Sequence, residues 1–402
     1  MSVAGLRQLA DAMLKVINDA AFRRLMIVRS TKVAESFTID DTARLFQYLY
    51  AKVANKKSAS KPGTQGSVAS DGEKRVKKKA LVCGISGQDG SYLAQALLQQ
   101  GYEVWGSSRD AELNTFSNLR RLDILNSVRL VSLNTGDIGG VLGLLRRIRP
   151  SEIYSLAGQS SVGLSFDQPN ETVDSIVLGT LNLLEGIRLS DLDIRFYNAG
   201  STECFGDTGA LRATETSPFR PCSPYAVAKC AAYWMVSTYR RAYGMFACTG
   251  ILSNHESALR PQRFVTRKII HAAARVSLGM NADLTLGNVN VERDWGWAPE
   301  YVGAMAKMLQ RDTPEDYIIA TGNSHTLVDF IDTAFRLANA DWRKLVHIDK
   351  DLFRPTDIIT NKVDPSKAAS SLGWTATSGM RDVVEKMLIQ EVDLIRTSSV
   401  NE

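Results

Sequence analysis

Three things are scarce or missing in this sequence of 402 residues: long apolar runs, paired cysteines and a leader segment. No run approaches the roughly 20 apolar residues that a membrane-spanning helix needs. The five cysteines are an odd number without a Cys-x-x-Cys pair, which argues against a disulfide framework and against a zinc site. No charged and then apolar leader opens the chain. These absences predict a cytoplasmic protein with no membrane partner and no metal.

Charge is distributed unevenly along the chain. Residues 1–79 hold 16 Lys and Arg against 7 Asp and Glu, so the net charge of +5 comes from this part and the remaining 323 residues are net acidic. Apolar residues recur at helical spacing over 6–28 and again over 42–53, which predicts a helical N-terminal extension over 1–54. We expect its apolar faces to dock on the rest of the chain or on a second copy.

The following residues, 55–78, are rich in Lys, Ser and Gly, a composition typical of a basic flexible linker. A basic linker can contact nucleic acid or anionic lipid. Because no aromatic side chains interleave with these basic residues, nothing is present to stack on bases. A solvated tether is the favoured interpretation, and we predict no nucleic-acid partner.

Three glycines follow a short apolar run at positions 80–83. At the spacing of Gly84, Gly87 and Gly90 the backbone can turn tightly, and a pyrophosphate can reach the free N–H groups of the helix predicted over 92–100. An ordinary glycine-rich turn is the alternative interpretation. The strand before the glycines and the helix after them favour a nucleotide-binding loop.

Strand and helix patterns alternate from residue 79 onward, which predicts a parallel sheet covered by helices on both faces. Together with the glycine loop, this indicates a Rossmann-type, doubly wound α/β fold, predicted here over 79–257. The alternation becomes irregular beyond that point. We therefore predict a smaller C-terminal α/β lobe over 258–402 that binds substrate, with some of its segments returning to the first domain.

A second motif indicates proton transfer. Tyr225 and Lys229 lie four residues apart in a predicted amphipathic helix, so their side chains share one face. A tyrosine keeps its proton up to roughly pH 10, but an ammonium beside it favours the phenolate, which can act as a base. Ser201 and Glu203 follow a strand predicted over 194–199, the usual place for reactive groups in a parallel sheet. A carboxylate that caps the next turn and a surface lysine are the alternatives.

Both motifs resemble those of the extended short-chain dehydrogenases/reductases, and within that superfamily the chain is similar to the GDP-mannose 4,6-dehydratase family. The matching stretches are 84–93, 152–160, 243–248, 254–257, 264–268, 293–296 and 314–322. They extend over essentially everything from residue 79 to about 394. The resemblance implies a hydro-lyase that converts GDP-mannose or a close GDP-hexose into the GDP-4-keto-6-deoxy sugar and water. We expect a homo-oligomer, either a dimer or a tetramer.

The end of the second predicted strand, 103–107, bears on the choice of cofactor. An acidic residue there binds the ribose 2′-hydroxyl of NAD, whereas an arginine suits the 2′-phosphate of NADP. Arg109 matches the arginine of the NADP-using dehydratases, but Asp110 and Glu112 depart from the family and would repel a phosphate. NADP is therefore the predicted cofactor, with NAD as the alternative.

The resemblance also implies residues that bind cofactor and substrate. For the cofactor they are Gly84, Ile85, Ser86, Gly87, Gln88, Asp89, Gly90, Arg109, Asp137, Ile138, Leu156, Ala157, Gly158, Ser160, Tyr225, Lys229, His255 and Arg260. For the substrate they are Thr202, Asn254, Val265, Lys268, Arg293 and Arg354. Arginine forks suit the oxygens of a diphosphate, although an ordinary surface arginine is an equally open interpretation of Arg293 and Arg354.

The resemblance assigns catalysis to Ser201, Glu203, Tyr225 and Lys229. The Tyr225 phenolate takes the proton of the sugar 4-hydroxyl while hydride leaves C4 for the nicotinamide. The new ketone acidifies the proton on C5, which Glu203 removes. The 6-hydroxyl leaves as water with a proton passed through Glu203 and Ser201, and hydride returns to C6. The net redox change is zero, so the cofactor need never leave.

Some positions beside the predicted site depart from the family pattern. Ser161 replaces a histidine, Ile176 replaces an acidic residue, and the run 258–263 differs throughout, including Leu259. These departures keep a second interpretation open, a nucleotide-sugar 4-epimerase or 4-keto reductase of the same superfamily. A third is a nucleotide-binding scaffold that retains the fold without the chemistry. Retention of the catalytic tyrosine, lysine and glutamate disfavours it.

Overall fold

The structure is a computed structural model and describes residues 77–399. The helical extension predicted over 1–54 and all but the last two residues of the linker predicted over 55–78 lie outside the described residues. The described residues belong to one compact unit.

The strands of this unit are β1 (Lys79–Cys83), β2 (Glu103–Ser108), β3 (Arg129–Ser132), β4 (Glu152–Ser155), β5 (Arg195–Ala199), β6 (Ala247–Leu252), β7 (Asn254–Glu256), β8 (Leu284–Leu286), β9 (Glu292–Trp297), β10 (Tyr317–Ile319), β11 (Ser324–Thr326) and β12 (Val346–Ile348). The α-helices are α1 (Gln88–Gln99), α2 (Ser117–Arg121), α3 (Ile138–Ile148), α4 (Val162–Asp167), α5 (Pro169–Val173), α6 (Gly179–Leu189), α7 (Pro224–Tyr243), α8 (Val265–Ser277), α9 (Ala298–Leu309), α10 (Leu327–Leu337) and α11 (Met380–Ser399). In the described part of the chain, no helix is both long and apolar enough to cross a membrane.

Seven of these strands form one parallel sheet in the order β10-β6-β5-β4-β1-β2-β3. Side chains alternate between the two faces of a strand. In β1, Ala80 and Val82 join the core beneath α1 and α9, whereas Leu81 and Cys83 join the core beneath α3 and α6. Because both faces are covered, this strand is apolar from Ala80 to Cys83, as is usual in parallel sheets. The predicted doubly wound α/β fold is confirmed.

The helix after the glycine loop begins earlier than predicted. α1 starts at Gln88 instead of residue 92, so that Gly90 lies in its first turn. A Cβ at Gly90 would meet the carbonyl oxygen of Gly84 at 2.3 Å. Glycine at this position therefore allows the helix to start directly against the turn, and it does not interrupt the helix.

A second, smaller set of elements follows β6. Strands β7, β9 and β11 form a three-stranded sheet, and β8 pairs with β12. Helices α8, α10 and α11 pack with them around a separate hydrophobic core that includes Trp295, Phe330 and Met387. Strand pairing crosses the predicted division between 257 and 258 in both directions, since β7 joins the small sheet and β10 joins the large one. That domain boundary stays a prediction.

A late segment, residues 354–364, returns to the loop that follows β5. The backbone N–H of Ala213 donates to the Lys362 carbonyl at 2.9 Å. The Asn361 side chain donates to the Thr202 carbonyl at 3.0 Å, and both residues are buried. The C-terminal part of the chain is therefore tied to the loop that carries the predicted catalytic residues.

Candidate active site

The turn between β1 and α1 has a shape that suits a pyrophosphate. Gly84 adopts φ +84°, and a Cβ there would meet the backbone nitrogen of Ala157 at 2.8 Å, so another residue would be strained. Gly87 is the N-cap of α1 and provides no side chain to bond the first N–H groups of the helix. These N–H groups stay available to an anion. The residues present therefore fit a dinucleotide.

A cavity of about 460 Å³ opens beside this turn, at the carboxyl ends of β4, β5 and β6. It is lined by all four predicted catalytic residues, Ser201, Glu203, Tyr225 and Lys229. Ser201 accepts the N–H of Glu203 at 3.3 Å and so caps the short 3₁₀ turn Thr202–Phe205 that carries the carboxylate. Tyr225 and Lys229 lie one turn apart on α7, as predicted. The phenol and the carboxylate thus share one cavity.

Burial governs the charges of the tyrosine and lysine pair. The Lys229 ammonium donates to the Ala199 carbonyl at 2.8 Å and lies 5.7 Å from the centre of the Tyr225 ring. Burial lowers the pKa of Lys229 to about 8, because the ammonium loses solvation. Burial also raises the pKa of Tyr225 and outweighs a hydrogen bond with Ser201 that lowers it. In the protein alone, the net shift of the pKa of this phenol is therefore upward, and the role predicted for Lys229 in favouring the phenolate stays a prediction.

Buried His255 and partly buried Asp89 form an ion pair beside the glycine turn. The imidazole Nε2 lies 2.9 Å from Asp89 Oδ2, and Nδ1 lies 2.7 Å from the Ser253 carbonyl oxygen. Since both ring nitrogens face acceptors, the doubly protonated ring fits. Burial lowers the pKa of His255, but the carboxylate outweighs it and the net shift is upward. Burial raises the pKa of Asp89, but His255, Arg260 and Gln88 together outweigh burial, and the pKa falls to about 2.

Two arginines predicted for the substrate share one carboxylate. Arg293 Nη2 lies 3.5 Å from Asp357 Oδ1, and Arg354 Nη1 lies 3.4 Å from the same oxygen. Arg293 Nε lies 3.5 Å from Glu203 Oε1. The Arg293 side chain is only 7% exposed, so water screens its charge weakly. Charges of alternating sign therefore run from Glu203 through Arg293 and Asp357 to Arg354.

The family profile described as GDP-mannose 4,6 dehydratase matches residues 81–387, which is most of the chain. The chain belongs to this family. A GDP-mannose 4,6 dehydratase of Arabidopsis thaliana is 44% identical over 337 residues, covering 81% of this chain and 93% of that relative. The GDP-mannose 4,6-dehydratase of Vibrio cholerae is 40% identical, covering 79% of this chain and 94% of that relative. The predicted family, the predicted nucleotide-sugar 4,6-dehydration and the predicted lyase class are confirmed.

Solved structures share the fold at lower sequence identity. DesIV from Streptomyces venezuelae, a dTDP-glucose 4,6-dehydratase solved with NAD and TYD, matches with a TM-score of 0.70 at 22% identity, covering 79% of this chain and 98% of that chain. RMD from Pseudomonas aeruginosa, solved with NADPH, matches with a TM-score of 0.65 at 20% identity, covering 79% of this chain and 100% of that chain. At this identity the likeness shows the fold alone.

The cavity brings together many of the residues predicted for a GDP-mannose 4,6-dehydratase. Besides the catalytic four, the predicted residues that line it are Asp89, Leu156, Ala157, Gly158, Ser160, His255, Arg260, Asn254, Val265, Lys268, Arg293 and Arg354. Those that do not line it are Gly84, Ile85, Ser86, Gly87, Gln88, Gly90, Ile138, Thr202, Arg109 and Asp137. The Gln88 side chain is engaged elsewhere, since it donates to the His255 carbonyl at 3.1 Å and accepts from the Ser257 hydroxyl at 2.8 Å.

Arg109 and Asp137 line a separate cleft of about 320 Å³ beyond the ends of β2 and β3. The Asp137 carboxylate caps α3 by accepting the N–H of Gly139 at 2.9 Å. The Arg109 guanidinium pairs with Glu171 on α5, with 2.8 Å between Nη1 and Oε1. Asp110, which is predicted to repel a phosphate, accepts two backbone N–H groups of its own loop.

Two positions that depart from the family pattern occupy different surroundings. Ser161 lines the cavity and caps α4 by accepting the N–H of Leu164 at 3.3 Å. Ile176 is 3% exposed and packs in one hydrophobic cluster with Tyr225. The first residue is therefore accessible to a substrate, and the second supports the helix of the catalytic tyrosine.

Two charged residues of the site, Asp357 and Glu171, were not identified from the sequence. Asp357 lies three residues after Arg354, a spacing at which side chains can meet, and this was a usable signal. Its contact with Arg293 joins distant parts of the chain and leaves no local pattern. Glu171 is 62 residues from Arg109, and nothing near either residue indicates that they pair.

Proposed function

We propose that the chain converts GDP-mannose, or a closely related GDP-hexose, into the GDP-4-keto-6-deoxy sugar and water. The observation that carries this proposal is that Tyr225 and Glu203 line the same cavity. One hexose ring can then meet the phenol at C4 and the carboxylate at C5 and C6. Elimination of water needs a base at C5, whereas oxidation at C4 does not, so the position of Glu203 supports dehydration over 4-epimerisation.

The proposed cofactor is NADP, with NAD as the alternative. Its pyrophosphate would lie at the glycine turn against the start of α1, and its nicotinamide in the cavity near Tyr225 and Lys229. When bound, a nicotinamide accepts hydride from C4 and returns it to C6, and its oxidised ring brings a positive charge that favours the phenolate. Arg109 supports NADP, since a guanidinium suits a 2′-phosphate.

The chain's own residues move the protons. Tyr225 takes the proton of the 4-hydroxyl, and Glu203 takes the proton of C5 once C4 is a ketone. Glu203 passes that proton, through the hydroxyl of Ser201, to the 6-hydroxyl, which leaves as water. Tyr225 returns its own proton to C5 as C6 is reduced to a methyl group. Every proton taken up is given back, so the site ends the cycle as it began.

Arg293 and Arg354 are proposed to bind the diphosphate. A diphosphate brings two negative charges, and each guanidinium can bond two phosphate oxygens. Because Arg293 also contacts Glu203, one side chain would link the diphosphate end of the substrate to the catalytic carboxylate. The other substrate contacts proposed are Thr202, Asn254, Val265 and Lys268, of which the last three line the cavity.

We also propose a homo-oligomer, a dimer or a tetramer, located in the cytoplasm. Val227 and Trp234 on α7 are 52% and 58% exposed, which supports an association surface, because large apolar side chains are usually covered. The mass of the purified protein in solution tests the assembly, and a monomer at micromolar concentration would contradict it.

Incubation with GDP-mannose and a small amount of NADP tests the reaction. We expect mass spectrometry to show loss of one water from the sugar nucleotide, with no net change in nicotinamide absorbance. Accumulation of reduced cofactor, or a product of unchanged mass with inverted C4, would contradict dehydration and indicate an oxidoreductase or an epimerase. The Glu203→Gln variant serves as the control, since it should bind GDP-mannose and release no water.

A further inference from the structure

The ion pair between Arg109 and Glu171 crosses the groove in which the dinucleotide is proposed to lie. Arg109 directly follows β2, and Glu171 lies on α5, which follows β4. Strands β2 and β4 flank β1 on opposite sides, so the pair spans the carboxyl end of β1. The glycine turn begins at that same end. The contact is direct, with 2.8 Å between Arg109 Nη1 and Glu171 Oε1.

Helix α5 is held in place on the other side of the groove. Gln159 lies in the loop that lines the cavity with the catalytic residues. Its side chain donates from Nε2 to Thr172 Oγ1 at 3.2 Å, and its backbone N–H donates to Ser175 Oγ at 3.2 Å. Ser175 in turn donates to the Glu171 carbonyl at 2.6 Å. The backbone at Glu171 is therefore anchored, and its carboxylate is kept within reach of Arg109.

The same pair borders the cleft beyond β2 and β3, which Arg109 lines together with Asp137. A 2′-phosphate carries between about one and a half and two negative charges at neutral pH, as phosphate monoesters do. To bind it, Arg109 must leave Glu171, and the freed carboxylate then faces the phosphate across a short distance. The 2′-hydroxyl of NAD has no charge, so NAD neither requires Arg109 to leave Glu171 nor brings a charge that the carboxylate repels.

We propose that the Arg109–Glu171 pair weakens the discrimination that Arg109 alone would give, so that the chain prefers NADP over NAD by less than an unpaired Arg109 would impose. This inference rests on the proposed nicotinamide cofactor and concerns only the choice between its two forms. Glu171 is then a specificity-determining residue of the adenosine end. The side chains of Arg109 and Glu171 are 74% and 40% exposed, so the pair is weak enough to exchange partners.

Dissociation constants of NADP and NAD for the full chain, measured by quenching of its tryptophan fluorescence, test the proposal without any turnover. Glu171→Gln should raise the preference for NADP over NAD by about five- to tenfold, chiefly through tighter NADP binding. In an Arg109→Gln background the same substitution should raise the preference by only about two- to threefold, because the pair is gone and only the repulsion between the carboxylate and the phosphate remains. Glu112→Gln, which removes another acidic charge from the loop after β2, is the matched control and should raise the preference by less than about twofold, because Glu112 is exposed.

Three results would overturn the inference. The first is that Glu171→Gln leaves the preference for NADP over NAD unchanged. The second is that Glu171→Gln raises this preference equally in the Arg109→Gln background, which would show that Glu171 acts on the phosphate without Arg109. The third is an equal rise in Glu112→Gln, which would indicate general charge and not the pair. Failure of the unaltered chain to bind either dinucleotide is distinct from these, since it would overturn the proposed cofactor and, with it, this inference.

Discussion

The two ends of the proposed cofactor groove use charged side chains in different ways. At the catalytic end, Arg293 and Glu203 are 7% and 13% exposed, whereas at the adenosine end Arg109 is 74% exposed. At the first end burial shifts the pKa values of Tyr225 and Lys229, and contacts with backbone carbonyls fix the side chains. At the second end water screens the charges. The comparison indicates that the chemistry depends on the buried end and the choice of cofactor form on the exposed one.

The largest effect is expected from Glu203→Gln at the buried end. An amide cannot take the C5 proton, so the dehydration rate should fall by about a thousandfold or more. GDP-mannose binding, measured by calorimetry, should stay within about twofold, because Gln fills the same space. Glu385→Gln, the same substitution at an exposed position of α11, is the control and should keep full activity. Full dehydratase activity in Glu203→Gln would remove this residue from its role.

The next effect is on the pH dependence of kcat/KM, which we expect to follow the protonation of buried Lys229. Its pKa is lowered to about 8, so the ammonium is lost as the pH rises through that value. We expect kcat/KM to fall on the alkaline side with a midpoint near this pKa. Lys229→Arg keeps its charge at all these pH values, and in that variant the alkaline fall should move to higher pH. An unmoved profile would assign the fall to another group.

A smaller effect is expected from Asp357→Asn. The amide removes the negative charge between Arg293 and Arg354, so the two guanidinium groups repel each other and lose their common anchor. We expect a loss of about tenfold in kcat/KM, which corresponds to about 1.4 kcal/mol. Asp357→Glu keeps the charge and should recover most of the activity. If both variants behave alike, the packing of residue 357, and not its charge, supports the arginines.

The last effects are on stability, where one substitution in the cavity and one at the exposed end give a matched comparison. The raised pKa of His255 means that its pairing with Asp89 stabilises fully below about pH 6.5 and fades as pH rises through the raised value. The lowered pKa of Asp89 means that the pair also fades toward about pH 2. Asp89→Asn should therefore lose about 1–3 kcal/mol in urea unfolding near pH 6, and less near pH 9.

Glu171→Gln is the counterpart at the exposed end. Its unfolding free energy should change by less than about 0.5 kcal/mol at either pH, because exposed ion pairs contribute little. A loss as large as that of Asp89→Asn would show that the two ends do not differ as their exposure indicates.

Residues that are close along the chain could be predicted well. The glycine turn, the spacing of Tyr225 and Lys229 on one helix, and the position of Glu203 after a strand all depend on local patterns, and the structure brings the catalytic residues into one cavity. Helix α1 begins four residues before its predicted start, because close packing of Gly90 against Gly84 is a tertiary effect.

What could not be predicted depends on burial and on contacts between distant segments. The direction of the pKa shift of Tyr225 follows from desolvation, which a spacing of four residues does not reveal. The contact of Asp357 with Arg293 and the pairing of Glu171 with Arg109 both join separate elements. The bonds of the Asp110 carboxylate to its own loop likewise gave no signal in the sequence, and its predicted repulsion of a phosphate stays a prediction.

The return of residues 354–364 to the loop after β5 also bears on how the protein is made. Synthesis from the N-terminus produces the phenol, the lysine and the catalytic carboxylate well before Arg293, Arg354 and Asn361. Until Asn361 emerges, the Thr202 carbonyl lacks its amide donor, and the loop beside Glu203 lacks its backing. A nascent chain would thus acquire its dinucleotide groove before residues 354–364 emerge, and its competence to turn over a sugar nucleotide only after them.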